Sequence, residues 1–106
     1  MLAMSDCIFC KIINGDFGTN FVYEDETAVV FNDINPKAKI HLLVVPKEHV
    51  TDLNECSEEL IGKLMAVVKK VTQQEGIKSY KTLINTGKDA GQEVFHLHIH
   101  ILSGKI

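Results

Sequence analysis

The sequence predicts a domain that mixes α-helix with β-strand, and three observations carry that prediction. Residues 95–102 read Phe-His-Leu-His-Ile-His-Ile-Leu, the alternation of a half-buried strand. Leu60, Leu64, Val67, Val68 and Val71 recur at the spacing of one helical face. Runs over 21–24, 27–31, 39–45 and 80–85 are bounded by turn residues and rich in strand formers. At 106 residues the chain is expected to form one domain, 1–106, with a modest core, near the size at which a metal or a dimer commonly adds stability.

Taken in order, Cys7, Ile8, Phe9, Cys10, Lys11, Ile12 and Ile13 open as a short helix or turn, stopped by Asn14-Gly15-Asp16. Phe21-Val22-Tyr23-Glu24 and residues 27–31 read as a hairpin around Asp25-Glu26, ended by Asn32-Asp33-Ile34-Asn35-Pro36. The strand over 39–45 stops at Pro46 and sets His41, Leu43 and Val45 opposite Ile40, Leu42 and Val44. His41 therefore faces the histidine run if the two strands are neighbours.

Ser57 is placed as an N-cap, Glu58 and Glu59 suit a first turn, and Lys69 and Lys70 fall near the end of a helix of about five turns that Gly76 stops. A strand over 80–85 leads into the loop Thr86-Gly87-Lys88-Asp89-Ala90-Gly91-Gln92. Its glycines are expected to leave backbone N–H groups approachable by phosphate oxygens. The last strand carries His96, His98 and His100 on one face and Leu97, Ile99 and Ile101 on the other. No repeat, low-complexity segment or linker interrupts the order.

A net charge of −3 without a basic stripe argues against a general nucleic-acid binder, while leaving room for a single nucleotide held by local donors. Met1 to Met4 are too short for a signal peptide, and no run reaches the roughly 18 apolar residues of a membrane span. A cytoplasmic protein is expected, with Met4 as an alternative start. Three cysteines, at 7, 10 and 56, form an odd set that in a reducing compartment favours metal or packing roles over disulfides.

The histidine row carries the chemistry. Strand neighbours two residues apart lie roughly 6.5–7 Å apart, so His96 and His100 are about 13 Å apart and cannot comfortably share one metal. The row reads as three stations, suited in sequence to a metal, an attacking imidazole and a phosphate donor. No packing rule asks for a ladder of imidazoles; Thr, Val or Tyr serve cross-strand packing better. The Cys7-x-x-Cys10 pair lacks the βαβ setting of a redox site, so half of a zinc site is favoured over two packed thiols. Asp33, just past a strand end, either caps a turn or accepts ribose hydroxyls. His49 stands in a loop equally suited to a metal ligand and to a surface histidine.

The run His96 to Leu102 resembles the defining motif of the histidine triad family, His-φ-His-φ-His-φ-φ with φ apolar. The resemblance extends through Ile8-Phe9, Lys11-Ile12-Ile13, Phe31-x-Asp33-Ile34, His41-x-Leu43-Val44-x-Pro46-Lys47-x-His49, Asn85-x-Gly87 and Gly91-Gln92-Glu93-Val94-Phe95. It points to the branch of nucleoside phosphoramidases that also binds nucleoside phosphates. It implies an α+β fold, an antiparallel sheet of about five strands with two helices, and a homodimer in which the strands of two protomers join into one sheet.

By the same resemblance His98 is the nucleophile, His100 a phosphate donor and His41 an orienting residue. Asn85, Gly91, Glu93 and Val94 flank the phosphate. Ile8, Phe9, Ile12, Phe31, Ile34 and Leu43 enclose the nucleoside, with Asp33 on the ribose. Cys7, Cys10, His49 and His96 form a structural zinc site. The implied reaction is hydrolysis of adenosine 5′-phosphoramidates to AMP. Its rivals are a dinucleoside polyphosphate hydrolase and a non-catalytic nucleotide- or zinc-binding module. Glu93 stands where many relatives have Ser, so a carboxylate replaces that hydroxyl and becomes a candidate proton donor to the leaving amine. The end at Ser103-Gly104-Lys105-Ile106 lacks a tail that in some relatives reaches the partner's site.

Overall fold

Five antiparallel strands form one sheet, in the spatial order Tyr23–Glu24, Ala28–Asn32, Ile40–Pro46, Ile99–Ser103 and Lys81–Leu83. The computed structural model describes residues 6–104; the alternative start at Met4 and the final Lys105-Ile106 lie outside them. The elements are α1 (Ile8–Ile13), β1 (Tyr23–Glu24), β2 (Ala28–Asn32), β3 (Ile40–Pro46), α2 (Glu58–Gln74), β4 (Lys81–Leu83) and β5 (Ile99–Ser103). Short 3₁₀ turns also lie at Leu53–Glu55 and Lys88–Ala90. The α+β architecture expected above is thus the one observed.

Strand periodicity divides the core between the two faces of the sheet. Ala28 and Val30 of β2, Leu42 and Val44 of β3, and Ile99 and Ile101 of β5 pack with Leu97 against Leu64, Val67, Val68 and Val71 of α2. On the other face Val29, Phe31, Leu43 and Val45 pack with Cys7 and Phe9 around α1. This two-sided burial explains why β2 and β3 read as nearly continuous apolar runs. Each fully buried aliphatic side chain of this kind contributes about 1.5–3 kcal/mol.

Local chemistry sets the boundaries. Ser57 Oγ accepts the Leu60 N–H at 3.0 Å to start α2, a cap of about 1 kcal/mol, and Gly76, at φ +68°, provides the left-handed stop. Lys69 and Lys70 fall short of the last turn, which holds no basic residue. The first hairpin turns on Asp25, whose Oδ1 accepts the N–H groups of Thr27 and Ala28. Its first strand is only Tyr23–Glu24, and the strand expected over 80–85 shortens to Lys81–Leu83. The last strand starts at Ile99 rather than at Phe95: residues 95–98 are extended and bent but lack ladder partners, because Leu97 N–H is drawn to the carbonyl of Val50. The alternation of faces survives the bend. No helix among the described residues is long and apolar enough to cross a membrane.

Candidate functional site

The α1 face of the sheet opens into a cleft of about 900 Å³. Register places His100 opposite Leu43 and Leu83, and His41 opposite Leu102, so both histidines stand on that face. Ile8, Phe9 and Ile12 of α1 close one side, with Phe31, Asp33 and Ile34 at the end of β2. Asn85, Gly91, Glu93 and Val94 arrive from the loop before the histidine row, and His98 and His100 form the floor. Every residue assigned above to the nucleotide thus borders one cavity. Two of its apolar residues are far from ordinary core: Ile8 is 48% exposed and Ile34 91% exposed, an apolar rim of the kind ligands cover.

The hydrogen-bond partners of the histidines decide where each neutral ring carries its proton. His96 Nε2 lies 2.8 Å from the carbonyl of Pro46, which only accepts, so the proton is on Nε2 and the lone pair on Nδ1. His98 Nδ1 lies 2.8 Å from the carbonyl of His96, which leaves its Nε2 as the lone pair. His41 Nδ1 accepts the backbone N–H of Lys37 at 3.0 Å; its proton is on Nε2 and is donated to His100 Nδ1 at 2.8 Å. His100 must then carry its proton on Nε2, a buried N–H without a partner among the described residues.

Burial is the main cause of the pKa shifts here, and it keeps the rings neutral. It pushes His100 down to about 4, reinforced by His98 and His41 and opposed by Asp33. It lowers His98 against the hydrogen bond to His96 and the charge of Asp33, and it lowers His41 against Asp33. The His98 and His100 rings are 4.9 Å apart. One cleft therefore presents an unprotonated nitrogen beside an unpaired donor.

Cys7, Cys10, His49 and His96, brought together from three parts of the chain, place their donor atoms within 4.8 Å of one another. Cys7 Sγ lies 3.3 Å from His96 Nδ1, and Cys10 Sγ lies 3.2 Å from His49 Nδ1 and 3.5 Å from His96 Nδ1. Two thiols with two imidazoles suit a tetrahedral ion, and the Pro46 carbonyl already turns the His96 lone pair toward the sulfurs. The set fits a closed structural metal site. Without an ion, burial and the neighbouring Cys7 thiol push Cys10 up to about 11. Asp33, His41 and His100 also cluster, but the Lys37 N–H keeps a proton on His41 Nε2. That cluster is a hydrogen-bond relay in which His41 has no lone pair left for a metal.

Asp33 caps the turn, the first of its two expected roles, and also reaches His41. Its Oδ1 accepts the Asn35 N–H at 2.8 Å, capping the turn, while Oδ2 lies 3.4 Å from His41 Nε2. The glycine loop departs from expectation: the N–H groups of Gly87, Ala90, Gly91 and Gln92 are all taken within the loop. Free donors lie further on, at Glu93 and Val94, whose N–H groups have no partner among the described residues. The residue that sequence reading passed over is Gln92. Only 3% exposed, it accepts the Gly87 N–H and donates to the carbonyls of Thr51 and Val94, shaping the loop at the cleft. A polar side chain with partners 41 residues away leaves no periodic trace in sequence.

The family model for the HIT domain matches residues 14–106. The chain belongs to the HIT family. Protein HitA of Neisseria gonorrhoeae is 50% identical to this HIT protein over 103 residues, 93% of this chain and 96% of that relative. Among solved structures, a HIT family hydrolase from Legionella pneumophila Philadelphia 1 superposes with a TM-score of 0.88 at 37% identity, covering 95% of each chain. A histidine triad nucleotide-binding protein from Candida albicans gives a TM-score of 0.84 at 34% identity, over 95% of this HIT chain and 76% of that one.

Proposed function

We propose that this HIT protein hydrolyses the P–N bond of adenosine 5′-phosphoramidates, or of related adenylylated amines, to AMP. The observation that carries the reading is the pairing of an unprotonated His98 Nε2 with an unpartnered His100 Nε2–H in one cleft. His98 attacks the α-phosphorus and the P–N bond breaks. The amine leaves with a proton, which Glu93 on the cleft wall donates in this scheme. Water then cleaves the nucleotidyl-histidine, returning His98 and AMP. The charge that develops on the phosphoryl oxygens meets His100 Nε2–H, the Glu93 and Val94 N–H groups and the Asn85 side chain. The adenosine occupies the apolar end at Ile8, Phe9, Ile12, Phe31, Ile34 and Leu43, with its ribose on Asp33.

The hydrolase and nucleotide-binding descriptions of the two solved relatives support this reading. Zinc at Cys7, Cys10, His49 and His96 serves structure by cross-linking distant segments. Two protomers join edge to edge through β4, whose three residues are all exposed at the sheet edge. The test is AMP release from adenosine 5′-phosphoramidate by wild type and by His98→Ala. Loss of the nucleophile lowers turnover by roughly 10³-fold or more while AMP still binds. An inactive wild type sinks the proposal, and faster turnover of a diadenosine polyphosphate reassigns the leaving group.

A further inference from the structure

The metal cluster and the base end of the cleft share their parts. Cys7 and Cys10 bracket Ile8 and Phe9, both of which line the cleft, and Cys7 Sγ accepts the Cys10 N–H at the start of α1. A helix of six residues has no stability of its own in water, so its position depends on what ties it down. Among the described residues, every hydrogen bond from residues 6–18 to the rest of the chain runs between the thiols of Cys7 and Cys10 and the rings of His49 and His96. The remaining attachment is apolar packing by Phe9, Ile12 and Ile13.

Phe9 also touches the reacting end. Its ring meets His98 edge-on at 5.0 Å, Phe31 at 5.8 Å and His96 at 5.9 Å. His96 is shared in a second way: its ring belongs to the metal cluster and its carbonyl orients His98.

We infer that the Cys7-Cys10-His49-His96 centre is coupled to nucleotide binding through α1, so that a nucleotide in the cleft and a zinc ion in the centre tighten each other. This inference rests on the adenosine placement proposed above. An ion that draws four ligands together holds Ile8 and Phe9 against the base; a base packed on Ile8 and Phe9 holds the two thiols in place for the ion. Thermodynamic linkage makes the two effects equal. The centre then acts as a positioning device for the cleft as well as a staple for the fold.

The experiment uses the folded, zinc-loaded protein. Zinc affinity is measured by competition with a chromogenic chelator, with and without saturating AMP, in wild type and in Phe9→Ala, which retains all four ligands. AMP occupancy is confirmed by calorimetry in each case. We expect AMP to raise zinc affinity about tenfold in wild type, the size of an ordinary coupling, and less than twofold in Phe9→Ala. Coupling that arose only because AMP stabilises the folded state would persist in the variant. Unchanged zinc affinity in wild type, or equal coupling in Phe9→Ala, overturns the inference. If the loaded wild type fails to bind AMP at all, the nucleotide reading itself has failed and takes the coupling with it.

Discussion

Replacing His41 by leucine removes a single donor and leaves the proton of its direct neighbour His100 free to change sides. In the wild type the Lys37 N–H holds the His41 proton on Nε2, and that proton occupies His100 Nδ1 at 2.8 Å. In the variant His100 Nδ1 has two choices. It remains a buried, unpaired acceptor, at a cost of about 1–3 kcal/mol, or the ring shifts its proton to Nδ1 and turns a lone pair toward the cleft. The second choice exchanges a donor for an acceptor where phosphoryl charge develops. Loss of one such donor in a water-poor site corresponds to about 2.7–4 kcal/mol of transition-state stabilisation, so kcat is expected to fall about 10²–10³-fold. His41→Gln, whose amide still donates, should recover part of it. AMP release gives the rates, and nitrogen-15 NMR of the imidazoles reads the tautomer: His100 protonated on Nε2 in the wild type and on Nδ1 in His41→Leu. A variant within threefold of wild type, or an Nδ1-protonated His100 in the wild type, refutes the relay.

Other expectations follow from the same geometry. The folded pKa values of His41 and His100 are lowered, so the unfolded chain binds protons more readily. Stability is full above the unfolded value near 6.5 and declines as pH falls toward about 4. After allowance for solvent screening, His100 alone accounts for a loss on the order of 1–2 kcal/mol by pH 5, and a flat Tm between pH 7 and 4.5 contradicts the assignment. Elemental analysis of purified protein should find one zinc per chain, with Cys10→Ser nearly empty and lower in Tm; a zinc-free wild type removes the structural-metal reading. Leu64→Ala, at a fully buried α2 position on the sheet, should cost about 2–5 kcal/mol, seen as a lower denaturation midpoint with unchanged slope. A loss below 1 kcal/mol would show that this face is not the packed core.

Sequence reading reached the elements whose causes are local or periodic. The α2 stripe, its Ser57 cap and the alternation of β3 and β5 need only nearest neighbours and a face to bury. The position of His41 beside His100 followed once β3 and β5 were taken as neighbours. The bend at residues 95–98 was not legible, because it depends on a carbonyl from Val50. Glu93 and Val94 were placed at the phosphate by the resemblance; that the loop glycines are not the free donors was hidden, because Gly87 spends its N–H on the side chain of Gln92. The proton positions were equally hidden: they are set by backbone groups of Lys37, Pro46 and His96, which carry no side-chain signature. The resemblance supplied the four-residue metal set, since a Cys-x-x-Cys pair alone does not name partners at 49 and 96.

The contact between Cys7 and His96 spans 89 residues, and that separation orders events during synthesis. Cys7 leaves the ribosome early, yet the ring it meets is made only after the whole sheet except β5 has been translated. A six-residue helix cannot hold its shape while it waits. The wall of the cleft that is made first is therefore the last to be set in place, and a nascent chain lacks a finished nucleotide end until the histidine row has emerged.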